Sequence, residues 1–351
     1  MSNLVVDQEF TKRLPKAELH AHLTGSISVA TLHKIWLQRK NSDPGFSMED
    51  PLIALPPEKV SYDVFAFFPL FDNYIYELCS NIEAIEYATD EVLRDFEQDG
   101  VRYLELRTTP RQSAGLTKEQ YVSTVLDCID AFDQQNMSTF LILSVDRRNT
   151  LEQAMQTVEL AVKFKDRGVV GVDLCGNPLK GDVSIFRPAF EKARSAGLKI
   201  TLHFAEVPES STQEELRTLL SYEPDRLGHV INVPDDIKDM IAEKKKHIGL
   251  ELCLSCNVHA KLIPGSFGDH HFGYWKDTEC SISVCTDDVG IFRSSVSNEY
   301  LLLAQHFNLT RADIIKLSER SIVSIFSGQV EKDRLARLLS GFRLEVKIQD
   351  M

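Results

Sequence analysis

The chain lacks several features that would place it in a membrane or on a secretory route. None of its 351 residues belongs to an apolar run of about 18, the length that a membrane-spanning helix needs. The first ten residues have neither the cationic start nor the apolar core of a secretory signal. The seven cysteines are odd in number and irregularly spaced, which argues against a disulfide framework. We therefore expect a cytosolic (cytoplasmic) chain with no membrane partner.

Positive charge is also scarce. Lysine and arginine number 39 against 52 aspartate and glutamate residues, which gives a formal net charge of -13. Such a chain does not attract nucleic acid or an anionic membrane through broad electrostatics. The 43% of hydrophobic and 26% of charged residues are ordinary proportions for a globular protein. The composition predicts a small-molecule partner that is recognised locally, and we expect a monomer.

Motifs of several common enzyme classes are missing. The sequence contains no Walker loop, no Gly-x-Gly-x-x-Gly, no Gly-x-Ser-x-Gly and no His-Glu-x-x-His. Cys253 and Cys256 have the spacing of half a zinc finger, but no second pair follows them, so structural thiols are favoured. These absences argue against nucleotide triphosphate, dinucleotide and serine-hydrolase chemistry.

Short β-branched and apolar runs alternate with longer segments of helical period. This alternation is typical of parallel strands joined by crossover helices. Capping pairs such as Thr117 and Gln120 mark helix starts between the runs. The predicted strands are Ala17–Leu23, Val101–Arg107, Thr139–Asp146, Val169–Cys175, Leu198–Phe204, Arg226–Val230, Gly249–Leu254 and Ser281–Asp287. Eight such units predict an α/β chain that forms a (β/α)8 TIM barrel.

Residues 31–90 interrupt this alternation. Prolines break any long strand there, and aromatic residues such as Phe67 and Phe71 recur near helical spacing. We predict a helical insertion after the first strand, whose aromatics pack in a core or, alternatively, form a lid over a ring-shaped ligand. Extra C-terminal helices are predicted over Thr310–Gly341. No linker divides the chain, so residues 1–351 are expected to form a single domain.

Polar side chains fall at the last positions of the predicted strands, which is the catalytic end of a barrel. They are His20 and His22 at the first strand, His203 and Glu206 at the fifth, His229 at the sixth, and Asp287 and Asp288 at the eighth. Residues two apart on a strand point the same way, so both histidines of the first strand can converge on one ion. Singly, each residue is better explained as a core histidine or a helix cap. Together, they favour a nitrogen-rich metal site suited to zinc.

These residues lie in motifs that resemble the adenosine and AMP deaminase superfamily. The motifs are Leu14–Leu23, His203–Glu206, Gly228–His229, Ser255–Asn257 and Cys285–Asp288, and they cover most of the chain. The resemblance implies a zinc aminohydrolase on a barrel of the metal-dependent hydrolase type. It also implies that His20, His22, His203 and Asp287 bind one Zn²⁺, which supplies a hydroxide nucleophile.

Within the superfamily, the chain resembles the adenosine deaminase-like branch and its N6-methyl-AMP deaminases. The motifs that carry this likeness are His20–Ser26, Tyr103–Arg111, Val145–Arg148, Gly171–Pro178 and His270–Phe272. The branch implies hydrolysis of N6-substituted AMP, such as N6-methyl-AMP, to IMP and an amine. Two positions depart from it, because the branch usually has Asn at Thr24 and a His at Tyr76.

The family mechanism assigns further roles. Glu206 would protonate ring nitrogen 1 of the purine, and His229 would orient the attacking water or take its proton. Asp288 would bind nitrogen 7, and Gly176 would let the backbone approach nitrogen 3. The catalytic residues expected from the resemblance are therefore Glu206, His229 and Asp287.

Arginines after the second and third strands can hold a 5′-phosphate through guanidinium forks. They are Arg107, Arg111, Arg147 and Arg148, of which Arg111 is the strongest candidate. For each one, an ordinary solvated or ion-paired arginine is the alternative. The substrate is expected to contact His22, Thr24, Tyr76, Thr108, Thr109, Pro110, Arg111, Asp146, Gly176 and Asp288.

Two other functions remain open. An adenosine or adenine deaminase would share the chemistry, but the arginines and Thr24 argue against it. A metal-binding barrel without turnover would be expected to have lost Glu206, His229 or Asp288, and the sequence retains all of them.

Overall fold

The computed structural model describes residues 5–56, 59–60, 64–132, 135–243 and 248–349. Within these ranges, eight parallel strands pair in chain order. They are β1 (Lys16–His22), β2 (Val101–Thr108), β3 (Ser138–Asp146), β4 (Val169–Cys175), β5 (Lys199–Phe204), β6 (Arg226–His229), β7 (Gly249–Leu252) and β8 (Ser281–Val284). Both faces of the strands are mostly buried, as expected where helices cover a sheet whose inner face is filled by side chains. The predicted (β/α)8 barrel is confirmed.

Helices precede, separate and follow the strands. The first part of the chain contains α1 (Gln8–Arg13), α2 (Leu23–Ser26), α3 (Val29–Ser42), α4 (Pro51–Ala54), α5 (Val64–Leu70), a π-helix (Phe71–Ile75), α6 (Tyr76–Leu78), α7 (Ile82–Gln98), α8 (Lys118–Ala131) and α9 (Leu151–Lys163). The second contains α10 (Arg187–Ser195), α11 (Gln213–Leu220), α12 (Asp235–Glu243), α13 (Leu254–His259), α14 (Phe272–Trp275), α15 (Val289–Phe292), α16 (Val296–Phe307), α17 (Arg311–Ile322) and α18 (Gln329–Gln349). Short 3-10 turns lie at Lys165–Arg167, Val183–Phe186, Pro208–Ser210 and Phe267–Asp269.

The barrel closes between β1 and the segment that follows β8. Ala21 forms a parallel bridge with Asp287. The His22 amide donates to the Asp287 carbonyl at 3.0 Å, and the Asp287 amide donates to the His20 carbonyl at 2.9 Å. Closure of the barrel therefore places Asp287 beside both histidines of β1.

The predicted strand ends coincide with the observed ends or differ from them by one to three residues, and the fourth strand matches at both ends. The eighth strand is shortened most, because Asp287 has a φ of 63°, which an extended strand does not adopt. The seventh strand stops at Leu252 because helix α13 begins at Leu254. The helix start at Thr117 is confirmed, with both hydrogen bonds of a capping box to Gln120.

The segment between β1 and β2 is helical where the structure describes it. The predicted insertion at residues 31–90 also includes 57–58 and 61–63, which lie outside the described residues. Helix α7 continues beyond residue 90 to Gln98, because Val92, Leu93 and Phe96 extend its buried face toward β2.

At the C-terminal end, Thr310 caps α17, and α18 runs beyond Gly341. Among the described helices, none combines the length and the apolar character that crossing a membrane requires.

Candidate active site and metal centre

Four side chains from β1, β5 and the segment that follows β8 converge at the mouth of the barrel. The Nε2 atoms of His20 and His22 each lie 3.2 Å from Nε2 of His203. The same two nitrogens lie 3.4 and 3.3 Å from Oδ1 of Asp287. Ligands at about 2.0–2.1 Å from a tetrahedral zinc ion are separated by roughly 3.4 Å, so these distances match the size of such a site. The cluster can hold a metal ion.

Buried carboxylates direct two of these histidines toward the centre. Nδ1 of His20 lies 2.5 Å from Glu251, and Nδ1 of His203 lies 3.1 Å from Asp173. Because each Nδ1–H can donate to a carboxylate, each Nε2 is left to offer a lone pair to a metal ion when the ring is neutral. A metal ion between the two Nε2 atoms, which lie 3.2 Å apart, would take the place of a shared proton. The donor set therefore fits a metal centre and suits zinc.

The absence of a side chain at Gly228 makes room for the His20 ring. A Cβ atom at Gly228 on β6 would lie 2.6 Å from Cε1 of His20, closer than atoms in contact can approach. Glycine at this position therefore lets the His20 ring lie against the neighbouring strand.

The backbone leaves ordinary strand geometry where the site residues emerge. Ala205, His229, Val230 and Asp287 have φ values of 52°, 64°, 48° and 63°. Positive φ is unfavourable for residues with a Cβ atom, and such strain tends to accumulate at functional sites. These turns move the side chains of His229 and Asp287 out of the regular alternation and toward one centre.

Glu206 and His229 lie beside the metal-ligand cluster. Burial and the charge of Asp287 raise the pKa of Glu206 to about 8, so its carboxyl is protonated at pH 7. Nε2 of His229 lies 3.9 Å from Glu206 Oε1 and 3.8 Å from Asp287 Oδ2. Burial lowers the pKa of His229 to about 4, which leaves this imidazole neutral. The site thus combines a protonated acid with a neutral imidazole.

His229 could itself contribute a ligand. It can place one atom within 4.8 Å of atoms from His20, His203 and Asp287. We favour His22 as the fourth ligand, because its Nε2 is 3.2–3.3 Å from the neighbouring donors, whereas that of His229 is 3.8 Å from Asp287.

One continuous cleft contains most of the predicted site residues. Its lining includes His22, Thr24, Tyr76, Thr108, Thr109, Arg111, Asp146, Gly176, His203, Glu206, His229, Asp287 and Asp288. Pro110 lines an adjoining cleft that shares Tyr76 and Arg111. His20 is fully buried behind the cleft wall and contributes through its position in the cluster.

Gly176 and Asp288 lie in this cleft in unusual environments. Gly176 has a φ of 95°, and a Cβ there would lie 2.7 Å from Asp146 Oδ1, so only glycine fits. Burial and the neighbouring Asp287 raise the pKa of Asp288 well above its ordinary value. Asp288 is therefore able to donate a hydrogen bond.

Three of the four arginines predicted near the phosphate already have protein partners. Arg107 borders the cleft but is fully buried, 2.8 Å from Glu251 and 3.4 Å from Asp173, so the ion-paired alternative describes it. The acidic residues on β4 and β7 draw its side chain into the interior.

Arg147 and Arg148 are paired as well. Arg147 is bound to Glu215 at 2.5 Å and is 4% exposed. Arg148 contacts Asp146 at 2.7 Å and Asp72 at 2.6 Å. For both residues the ion-paired alternative describes the structure.

Arg111 is different. Its guanidinium carbon lies 3.9 Å from the centre of the Tyr76 ring and 5.1 Å from that of Tyr121. Among the described residues, no carboxylate lies within salt-bridge distance of Arg111. Its charge is therefore available to an anion in the cleft.

The insertion also contributes to the cleft. Phe67, Phe68 and Phe71 line it, and Asp72 reaches Arg148 at its rim. Phe71 is buried, as expected for an aromatic residue that packs in a core. It also lines the cleft, as the lid alternative requires.

Sequence reasoning assigned no role to Asp173 or Glu251, which orient the histidines. The available signal was a carboxylate within an otherwise apolar strand, since both residues are completely buried in β4 and β7. A buried carboxylate requires partners, which points to a supporting role.

Known proteins resemble this chain in sequence and architecture. Residues 15–341 match the adenosine deaminase family. The chain is 37% identical over 333 residues to N6-methyl-AMP deaminase-L of Xenopus laevis, covering 93% of both chains. It is 37% identical over 350 residues to N6-methyl-AMP deaminase of Danio rerio, covering 96% of this chain and 97% of the relative. Arabidopsis ADAL complexed with IMP has a TM-score of 0.88 and 33% identity, with 96% and 99% of the two chains covered.

The chain belongs to the adenosine deaminase family, which confirms the predicted resemblance. The family makes it a hydrolase that acts on C–N bonds. More particularly, the chain is a deaminase of the group whose curated relatives are named N6-methyl-AMP deaminases.

Proposed function

We propose that the chain is a zinc-dependent deaminase that converts N6-methyl-AMP and water to IMP and methylamine. The observation that carries the proposal is one cleft that joins the metal-ligand cluster and Glu206 to the uncompensated charge of Arg111. The relatives named N6-methyl-AMP deaminase, and IMP bound to Arabidopsis ADAL, support the choice of substrate and product.

His20, His22, His203 and Asp287 would hold the zinc ion. Zinc bound there lowers the pKa of water toward 7 and supplies the nucleophile. Glu251 and Asp173 keep two of the histidines in the tautomer that offers Nε2.

Glu206 would act as the general acid. Its raised pKa of about 8 keeps the proton on the carboxyl at pH 7. Transfer of that proton to ring nitrogen 1 makes purine carbon 6 more electrophilic and so favours attack by water. Asp288, whose pKa is also raised, would donate a hydrogen bond to nitrogen 7.

The phosphate would bind at the end of the cleft formed by Arg111. A guanidinium fork gives a charge-assisted contact to phosphate, and the Tyr76 ring holds the fork in place by stacking. Thr109 lies beside it in the same cleft. This recognition would favour a nucleotide over a nucleoside or a free base.

The test is to incubate the zinc-loaded protein with AMP, N6-methyl-AMP, N6-methyladenosine, adenosine and adenine, and to measure released ammonia or methylamine. We expect the highest kcat/KM for N6-methyl-AMP and IMP as the product. Preference for adenosine or adenine would replace the proposal with the corresponding deaminase. No turnover of any of these compounds by metal-loaded protein would contradict it.

A metal titration supplies an independent control. The purified protein should bind one zinc per chain. His203→Ala should lose that binding because it removes the ligand nitrogen that lies 3.2 Å from those of His20 and His22. Retention of stoichiometric zinc by this variant would contradict the proposed ligand set.

A further inference from the structure

Two buried residues connect His229 to the loop that precedes α14. Nδ1 of His229 lies 3.0 Å from the side-chain amide of Asn257. The other end of that amide lies 3.0 Å from Nε2 of His270. His270 in turn receives a hydrogen bond on Nδ1 from the backbone N–H of Phe272, at 3.0 Å. All three side chains are buried, so water does not replace these contacts.

The donors and acceptors in this series of hydrogen bonds determine which ring nitrogen of His270 carries a hydrogen. Nδ1 of His270 accepts the Phe272 amide hydrogen, so it cannot carry a hydrogen of its own. A neutral imidazole then carries its hydrogen on Nε2. His270 must therefore donate to Asn257, and Asn257 must present its carbonyl oxygen to His270.

The orientation of the Asn257 amide follows. The structure has Oδ1 of Asn257 toward His229 and Nδ2 toward His270. The hydrogen on Nε2 of His270 requires the reverse, so we assign Oδ1 to His270 and Nδ2 to His229, where Nδ2 donates to Nδ1. The opposite orientation would place two hydrogen-bearing nitrogens, Nδ2 of Asn257 and Nε2 of His270, face to face. The two orientations have the same shape, so the hydrogen-bond pattern decides between them.

This series of hydrogen bonds determines the tautomer of His229. In the assigned amide orientation, its Nδ1 accepts from Nδ2 of Asn257, so its hydrogen lies on Nε2. Among the described residues, this Nε2 has no hydrogen-bond partner, although it is buried. It points to the space between Glu206 and Asp287, at 3.9 and 3.8 Å. A buried donor without an acceptor is costly, and an oxygen of the reacting molecules would satisfy it.

The neighbouring His271 secures the same residue through the backbone. Its Nε2 contacts the carbonyl oxygen of His229 at 2.6 Å. His229 has a φ of 64°, so this contact stabilises a backbone conformation that is otherwise unfavourable. The His270–His271 pair thus holds both the ring and the main chain of His229.

We propose that Asn257 and His270 are positioning residues that fix His229 as the Nε2–H tautomer. In that state, His229 donates a hydrogen bond to the attacking oxygen and cannot take a proton from it through Nε2. The inference deepens the proposed function, on which its kinetic consequence rests. The tautomer itself follows from the amide orientation assigned to Asn257 and does not depend on the proposed function.

Ring-nitrogen NMR tests the tautomer directly. The zinc-loaded protein is labelled with ¹⁵N-histidine, and long-range ¹H–¹⁵N spectra distinguish a ring nitrogen that carries hydrogen from one that does not. His229→Asn assigns the His229 signals by removing them. We expect Nε2 of His229 to be the protonated nitrogen, and protonation at Nδ1 in the wild-type protein would overturn the proposal.

Three variants of Asn257 and His270 should change the tautomer of His229 to different extents. Asn257→Asp can only accept at both ends, so it should move a hydrogen onto Nδ1 of His229. His270→Leu removes the donor that orients Asn257 and should give a mixture of tautomers. His270→Gln restores an N–H donor and should restore the wild-type pattern. His306→Asn, at an exposed histidine, is the control and should change nothing at His229.

Kinetics with N6-methyl-AMP tests the consequence for the reaction. Loss of one preorganised donor lowers kcat by about 10²–10³-fold, so Asn257→Asp should lose on that order with little change in KM. His270→Gln should keep more activity than His270→Leu. A switched tautomer with unchanged kcat would overturn the catalytic part of the inference. An inactive wild-type protein would contradict the proposed function, while the NMR result would still decide the tautomer.

Discussion

Polar side chains in the interior of the barrel and polar side chains at its mouth differ in how completely they are paired with other protein groups. Inside the barrel, each guanidinium nitrogen of Arg226 has an acceptor: Glu105 at 2.5 Å, Glu251 at 2.6 Å and the Ser324 carbonyl oxygen at 2.8 Å. At the mouth, Nε2 of His229 has no partner among the described residues, and Glu206 lies 3.9 Å from it. Paired groups hold neighbours in place, whereas unpaired groups remain available to substrate.

The largest expected effect is a loss of catalysis when a side chain at the mouth of the barrel is changed. Glu206→Gln preserves shape but removes the proton donor, so kcat should fall by about 10²–10⁴-fold. Zinc content and the free energy of unfolding should remain close to wild type. Glu209→Gln, at an exposed position nearby, is the matched control. Full activity of Glu206→Gln with zinc bound would remove Glu206 from the role of acid.

The pH dependence of kcat/KM is a second test of Glu206 as the general acid. The raised pKa means that Glu206 is protonated at pH 7 and loses its proton as the pH rises through about 8. Activity that needs the acid form should therefore decline above that pH, and kcat/KM of the wild type measured from pH 6 to 10 checks this. A profile that rises steadily across that range would contradict the assignment.

In the interior of the barrel, a substitution is expected to lower the free energy of unfolding. Glu251→Gln removes a charge shared by His20, Arg107 and Arg226, all fully buried. Breaking a buried ion pair costs about 3–5 kcal/mol, because a charge is left without compensation. Urea unfolding measures the change.

Glu159→Gln is the surface counterpart, since Glu159 pairs with Lys192 where both are partly exposed. Its loss should stay below about 1 kcal/mol. Equal losses for the two variants would show that pairing inside the barrel contributes nothing special to the fold.

Arg111 is an unpaired cation and should affect substrate selection. Arg111→Ala should raise KM for N6-methyl-AMP roughly ten- to a hundredfold, as expected for a lost hydrogen bond to a charged group. N6-methyladenosine lacks the phosphate, so its KM should change little. Parallel measurements with both substrates make the comparison, and equal effects on both would exclude Arg111 from phosphate binding.

The smallest effect is expected at the rim of the cleft. Asp72 of the π-helix pairs with Arg148, and both side chains are about 40% exposed, at 39% and 41%. Asp72→Asn should change the free energy of unfolding by less than about 1 kcal/mol, because solvent screens the pair and Arg148 keeps Asp146. A loss above 2 kcal/mol in urea unfolding would show that this pair behaves like those inside the barrel.

The periodic parts of this fold could be predicted because local patterns determine them. Apolar runs located all eight strands, and the spacing of His20 and His22 indicated that they share a face. The position of Arg107 could not be predicted in the same way. Its partners lie 66 and 144 residues away in the sequence, on β4 and β7. Only the closed barrel brings them together.

The same limit applies to the neighbours of His229. Asn257 and His270 belonged to motifs that carried the family likeness, yet their sequence positions did not show that they contact each other and His229 in turn. A hydrogen-bond chain depends on the directions of individual atoms. Strand and helix periodicity contains no such information.

The left-handed backbone at Ala205, His229, Val230 and Asp287 has a consequence for protein engineering. Transplanting only the histidines and carboxylates onto the strands of another eight-stranded barrel would place them in regular alternation, and they would not meet. A successful transplant has to include the turns after β5, β6 and β8, and the glycine at Gly228 that admits the His20 ring. The transferable unit is therefore a set of main-chain bends together with their side chains.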